Sequence, residues 1–300
     1  MKYFFIINPS SGSNKNKDHL LDEITELKKQ GYDVLYHFTK PEINSTRDYI
    51  KDYLTLHKDN EEIRFIACGG DGTICEVANG IVGFENASMT AYPCGTGNDF
   101  VKSVGGIEKY QNVKNLINAK NTKIDLIKIN DFYSINVANF GFDADVAKHS
   151  LDFKGKVKNP YTAAIFKSLF TSTSNDIKVE VDGELINNGK KMLLGNLANA
   201  GYEGGKYFCA PNYVIDDGLI EFFYVRKISI FKLVSLVKCF EKGKHLTNPK
   251  LKNIICYKRA KKVKVYSNKD FTLCFDGELI TGKEFTVEIC PKLINFAICE

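Results

Sequence analysis

The sequence lacks any apolar run approaching the ~18 residues a membrane-spanning helix requires. The apolar stretch near the amino end, Tyr3-Phe4-Phe5-Ile6-Ile7, is too short for the core of a signal peptide and is closed by Asn8-Pro9. These absences predict a cytoplasmic protein that meets a membrane, if at all, from the aqueous side. There is no C-x-x-C pair. The nine cysteines stand singly inside apolar segments, as in Ile66-Ala67-Cys68, which predicts free thiols rather than disulfides or a zinc site. A G-x-x-x-x-G-K-[ST] motif is also missing, so a P-loop is excluded. Neither an internal repeat nor a low-complexity linker interrupts the chain.

Acidic residues are scarce in one region. From Arg226 to Lys264 there are thirteen Lys and Arg against Glu241 alone, so this segment carries more than the whole net charge of +5. It reads either as a surface for anionic lipid headgroups or as a solvated lysine-rich face. Aromatic residues are too sparse in it for a nucleic-acid platform. Within it, Ile228–Phe240 has apolar residues at helical spacing, suited to core packing or to an anionic lipid surface.

What is present divides into two textures, and 300 residues of ordinary composition suit two domains. Through about residue 125 the chain alternates strands and helices. Strands are expected at Tyr3–Ile7, Asp33–Phe38, Ile63–Cys68 and Thr90–Pro93, with amphipathic helices between them. That order implies a parallel sheet covered on both faces, a three-layer α/β unit. From residue 126 to 291 short β-rich runs separated by turns predict a mostly antiparallel β-sandwich, with helical inserts near Tyr161–Phe170 and Ile228–Phe240.

Three turns of the first region share one design. Asn8-Pro9-Ser10-Ser11-Gly12, Gly69-Gly70-Asp71-Gly72-Thr73 and Gly95-Thr96-Gly97-Asn98 each follow a strand, where ligands bind in parallel sheets. Glycine admits an anion to the backbone N–H groups, and a helix N-terminus adds a favourable dipole. Three such turns side by side would hold a polyphosphate. A carboxylate among them, Asp71, would repel it unless a cation intervenes, so Asp71 reads as a Mg²⁺ contact or as a helix N-cap. In the second region Asp276-Gly277-Glu278 offers two acids around a glycine. It reads as a plain hairpin turn or as the place where a hydroxyl loses its proton to a carboxylate.

The string Gly69-Gly70-Asp71-Gly72-Thr73, followed by Glu76-Val77 and Asn79-Gly80, resembles the signature of the diacylglycerol kinase catalytic-domain family. Phe140-Gly141-Phe142-Asp143-Ala144, Ala210-Pro211 with Asp217-Gly218-Leu219, and Phe275-Asp276-Gly277-Glu278 resemble its later motifs in order, so the resemblance runs the length of the chain. Cys75 and Cys94 are mild departures.

The resemblance implies an NAD kinase/diacylglycerol kinase-like fold whose last strand, Ile294–Ile298, returns to the first domain. It also implies an ATP- and Mg²⁺-dependent lipid kinase, with a homodimer in keeping with the family, that phosphorylates a lipid hydroxyl at an anionic membrane surface. Asn8, Thr39, Gly69, Gly70, Asp71, Gly72, Thr73, Glu76, Gly95, Thr96 and Asn98 would line the ATP site. Val214, Asp217 and Leu219 would hold a structural Mg²⁺, for which a plain Asp216-Asp217-Gly218 turn is the alternative. Glu278 would take the proton, with Asp276 and Asp71 in one carboxylate group whose roles sequence does not divide. The resemblance leaves the lipid open: diacylglycerol, monoacylglycerol, phosphatidylglycerol, a polyprenol and a sphingoid base all offer a hydroxyl. A kinase of a soluble substrate such as NAD and a non-catalytic lipid- or nucleotide-binding regulator are the rivals.

Overall fold

The computed structural model describes residues 1–12, 14–57, 61–171, 176–187 and 190–300. The chain separates into two compact units, Met1–Leu126 with Pro291–Glu300, and Ile127–Cys290.

The first unit runs β1 (Lys2–Ile7), α1 (Asn14–Lys29), β2 (Val34–Phe38), α2 (Ser45–Leu56), β3 (Ile63–Gly69), α3 (Asp71–Ile81), β4 (Ala87–Pro93), α4 (Asp99–Ser103), α5 (Ile107–Tyr110), α6 (Val113–Asn118) and the start of β5 (Lys120–Ile129). Strands β1, β3 and β4 are continuous apolar runs buried on both faces, as a parallel sheet covered by helices requires. Pairing is parallel in the order β2-β1-β3-β4. Beyond β4 the sheet is extended by residues 295 and 296, where Asn295 faces Ser88 and Phe296 faces Met89. Thr90 fixes that edge by donating its hydroxyl to the Ala297 carbonyl at 2.8 Å. Strand β4 begins three residues before the expected Thr90, because Ala87, Ser88 and Met89 are small or apolar and buried.

The second unit runs β6 (Phe132–Ser134), β7 (Val137–Gly141), α7 (Phe142–Phe153), α8 (Pro160–Thr171), β8 (Lys178–Val181), β9 (Glu184–Leu185), β10 (Met192–Ala198), β11 (Tyr202–Glu203), β12 (Tyr207–Phe208), β13 (Ile220–Arg226), α9 (Ile230–Glu241), β14 (Ile255–Ala260), β15 (Lys262–Phe275) and β16 (Glu278–Ile298), whose final residues belong to the first unit. Its pairings are antiparallel, in the order β14-β13-β10-β7-β15-β16 with β8 and β9 beyond β15. Two expected strands, Lys262–Tyr266 and Phe271–Phe275, form the single strand β15, whose register slips between Tyr266 and Phe271. The slip lets the first half pair with β8 and the second half with β7, so one strand serves both layers of a sandwich. Val263, Val265, Leu273, Phe275, Phe140, Phe222 and Val287 fill the space between the layers. A second apolar cluster, holding Phe142, Val146, Ala164, Leu193, Leu194, Phe223, Leu233 and Leu236, packs α7, α8 and α9 on β10 and β13.

Helix α7 and strand β14 are among the elements that escape a reading of the sequence. Helix α7 buries only Phe142, Ala144 and Val146, all in its first half, so its apolar period fades after one turn. Strand β14 is interrupted by Lys258 and Arg259, whose partners are distant acids.

Candidate functional site

In the first unit the three glycine turns converge. A Cβ placed on Gly95 would lie 2.5 Å from the Gly70 Cα, and one on Gly12 would touch Cys94 at 3.4 Å. The contact at Gly95 excludes a side chain there, and a Cβ on Gly70 would be tight, 3.3 Å from the Gly95 Cα. Cys94 N–H donates to the Gly69 carbonyl at 2.8 Å, and Asn8 Nδ2 donates to Thr73 Oγ1 at 3.2 Å, so each turn is tied to a neighbour. Thr39 N–H donates to the Ile7 carbonyl at 2.9 Å, placing Thr39 at the carboxyl end of β2, where β1 also ends.

Helix α3 starts at Asp71 behind Gly70, which has no side chain to cap it. A helix N-terminus leaves N–H groups without intrahelical partners and carries a partial positive charge. Gly72 is exposed and has open space where a Cβ would stand. The residues therefore fit a phosphate-bearing ligand.

Several expected site residues have identifiable structural duties. Asp71 Oδ1 accepts from the N–H groups of Asp99 at 2.7 Å and Phe100 at 3.2 Å, so Asp71 clamps the start of α4 to its own helix. The other oxygen lies 2.9 Å from where a Gly97 Cβ would be, so a side chain at position 97 would displace the Asp71 carboxylate. Asn98, in the left-handed region at φ 52°, is buried, and its amide closes the turn on itself by bonding Gly95 N–H and C=O at 2.9 and 2.8 Å. Glu76 Oε2 accepts from Thr46 N–H at 2.9 Å and holds the N-terminus of α2. Thr96 is exposed at the tip.

In the second unit Asp276 and Gly277 take φ of 47° and 92°, the signature of a type I′ hairpin between β15 and β16. The Asp276 carboxylate accepts from Ile135 N–H at 2.8 Å, Asn136 N–H at 3.2 Å and Val137 N–H at 3.1 Å. Three amides favour its charged form and pin the hairpin to the start of β7. Glu278 follows at the first position of β16, opposite Phe275.

The expected metal set fares differently. Asp217 accepts from Leu219 N–H at 3.1 Å and forms an ion pair with Arg259, whose Nε also reaches Glu221 at 2.6 Å. Val214 is exposed. The Asp217 carboxylate is thus engaged by a guanidinium that it shares with Glu221, and Val214 and Leu219 would offer a cation only their backbone carbonyls. Among the described residues no cluster of three or more His, Cys, Asp or Glu is disposed to hold a metal.

One polar group was not anticipated. Asn139 and Asn196 face each other across β7 and β10, and both donate their side-chain amides to Glu203, Asn196 at 2.7 Å. Cys274 stands opposite Asn139 on β15, and the charges of Glu203, Asp276 and Asp143 help burial to push its thiol up to about 12. Burial raises Asp143, in the first turn of α7, to about 6. The available signal was asparagine inside otherwise apolar strands, Val137-Ala138-Asn139-Phe140 and Leu194-Gly195-Asn196-Leu197, since a buried polar residue in a core strand demands a partner.

The chain matches the diacylglycerol kinase catalytic domain over residues 2–129 and the YegS C-terminal NAD kinase beta sandwich-like domain over residues 136–298. It belongs to the diacylglycerol kinase catalytic-domain family. Proteins named diacylglycerol kinase from Staphylococcus aureus strains bovine RF122 / ET3-1 and MRSA252 are 28% identical over 279 residues, covering 91% of this chain and 84% of theirs. A crystal structure titled as a putative diacylglycerol kinase from Bacillus anthracis superposes with a TM-score of 0.74 at 22% identity, covering 99% of this chain and 96% of that one. At that identity it shows the fold, an α/β domain with a parallel sheet followed by a β-sandwich.

Proposed function

We propose that this chain is an ATP- and Mg²⁺-dependent lipid kinase acting on diacylglycerol or a similar lipid, with phosphatidic acid or its equivalent as product. The observation that carries the reading is the uncapped N-terminus of α3, whose glycine turn meets two neighbouring turns, in a chain of the diacylglycerol kinase family. The N–H groups of that turn would bind phosphate oxygens, and Mg²⁺ travelling with ATP would neutralise charge on the transferring phosphoryl group.

Glu278 is the proton acceptor in this reading. Asp276 is fixed by three N–H groups and serves to hold the hairpin, whereas Glu278 begins the strand beyond it. The lipid O–H gives its proton to the Glu278 carboxylate while its oxygen bonds to the γ-phosphorus. The bond from that phosphorus to the β,γ-bridging oxygen breaks, and ADP leaves with the electron pair. Asp71 orders the turn against which the phosphates lie. No step uses Asp217. The protein would work in the cytoplasm, at the inner face of the membrane, as a peripheral enzyme.

The test incubates the protein with labelled ATP, Mg²⁺ and a total lipid extract, with NAD as a parallel acceptor. Label in a lipid that disappears in Glu278→Gln supports the reading. Label in NAD alone, or in nothing while ATP still binds, overturns it.

A further inference from the structure

Exposed large apolar side chains are not spread evenly over the surface. Of fourteen among the described residues, five fall in the twenty residues from 151 to 170, where an even spread would put about one. They are Leu151 (58% exposed), Val157 (41%), Tyr161 (51%), Phe166 (61%) and Phe170 (82%). All lie on α7, α8 or the loop joining them. The core does not need Leu151, Val157, Phe166 and Phe170: the hairpin packs inward through Phe142, Val146, Ala164, Ile165 and Leu169, while the pKa of the Tyr161 hydroxyl is raised by burial and by the charges of Asp143 and Glu203. Phe166 and Phe170 are one helical turn apart, and Ala164 and Ser168, both fully buried, mark the opposite face of α8. His149 Nδ1 and Ser168 Oγ, 3.0 Å apart, join the two helices.

Around this apolar face stand Lys148, Lys154, Lys156, Lys158 and Lys167, all exposed. The acid among them, Asp152, is 3.9 Å from Lys167. Among the described residues, Lys154, Lys156 and Lys158 have no carboxylate within ion-pair distance. Exposed aromatic rings ringed by unneutralised lysines suit an interface that is apolar at one depth and anionic at the next. An acidic lipid surface has that profile. Self-association fits poorly, because a two-fold pairing would bring this lysine set against its own copy.

The more basic segment 226–264 is the weaker candidate. Its bases on β14 and β15 are answered by acids from neighbouring strands and turns: Lys258 by Glu184, Arg259 by Asp217 and Glu221, Lys262 by Glu288 and Lys264 by Glu284. Of its described residues, Val237 alone is a large exposed apolar side chain.

We propose that the α7–α8 hairpin is the surface by which this protein docks on an anionic phospholipid bilayer, Phe166 and Phe170 entering the acyl boundary and Lys154, Lys156 and Lys158 lying over the phosphates. The inference rests on the lipid-kinase reading for its meaning, but its test does not.

Sedimentation of the full chain with vesicles of phosphatidylglycerol and phosphatidylcholine, in about 0.1 M salt, measures docking directly. Phe166→Ser/Phe170→Ser should weaken binding at least about tenfold, since each exposed ring loses a favourable transfer. Lys154→Ser/Lys156→Ser/Lys158→Ser should remove most of the preference for phosphatidylglycerol and most of the salt dependence. Both variants should keep the parent's circular dichroism spectrum, and both should phosphorylate a water-soluble short-chain diacylglycerol within about twofold of the parent rate. A parent that ignores the short-chain lipid counts against the kinase reading and leaves the vesicle result to judge the docking. Vesicle binding that is unchanged in both variants overturns the proposal. So does a parent dimer that Phe166→Ser/Phe170→Ser dissociates while vesicles are never bound.

Discussion

Asp71 in the first unit and Asp276 in the second are both gripped by backbone N–H groups, yet to different ends. Asp71 gives one oxygen to two amides at the head of α4, so it ties one glycine turn to the next. Asp276 takes three amides from residues 135 to 137 and so fixes a hairpin against the strand beside it. In the first unit, side chains such as Asp71 and Asn98 hold the turns, and Gly70 and Gly95 let two of them meet backbone to backbone. In the second, closure is achieved by carboxylates and asparagine amides. The proposed phosphate site thus depends on close approach of glycines, and the proposed proton acceptor follows a hairpin that Asp276 pins.

The sharpest way to break this contrast is at the hairpin. Glu278→Gln should lower the turnover of lipid at least about 100-fold while the melting temperature stays near that of the parent. Asp276→Asn should instead unfold more easily, by about 2 kcal/mol, because an amide NH₂ cannot accept from the N–H groups it would face; chemical denaturation measures it. Equal stability losses in the two variants would erase the division between proton acceptor and anchor.

In the first unit Gly95→Ala should weaken ATP binding at least about tenfold and lower stability by about 2 kcal/mol, because the new methyl meets the Gly70 backbone. Isothermal calorimetry with the nucleotide tests the first effect, and Gly72→Ala, with open space, is the control that should leave the fold intact.

The smallest effect concerns Asp143. Its folded carboxyl is raised to about 6 from an ordinary 3.8, so the folded state binds a proton more readily than the unfolded one between those values. Stability contributed by this group is thus full below pH 4 and lost as pH rises through 6. Asp143→Asn should flatten that slope and leave the variant about 1 kcal/mol more stable at neutral pH. His245 slopes the other way. Burial beside Phe240 and Phe223 lowers it to about 4, so its contribution is full above pH 6.5 and lost on acidification toward 4.

The glycine turns, the hairpin at Asp276 and the two textures of sheet could be read from residue types and spacing, because each depends on neighbours in the chain. The pairing of Asn8 with Thr73, the asparagine clamp on Glu203 and the ion pair between Asp217 and Arg259 could not, since each joins positions that only the folded sheet brings together. Helix α7 was hidden for another reason. Its second half is amphipathic in the wrong sense for a core helix, with Leu151 turned to solvent.

Residues 295 and 296 pair with β4, beyond which the parallel strands β3, β1 and β2 all lie within the first 69 residues. During synthesis they appear 169 and 170 residues after Leu126, the point where the chain leaves the first unit. Until then β4 has an open edge, and such edges invite pairing with other chains. The second unit, contiguous in sequence, is free to fold first, so the portion made earliest is the portion finished last.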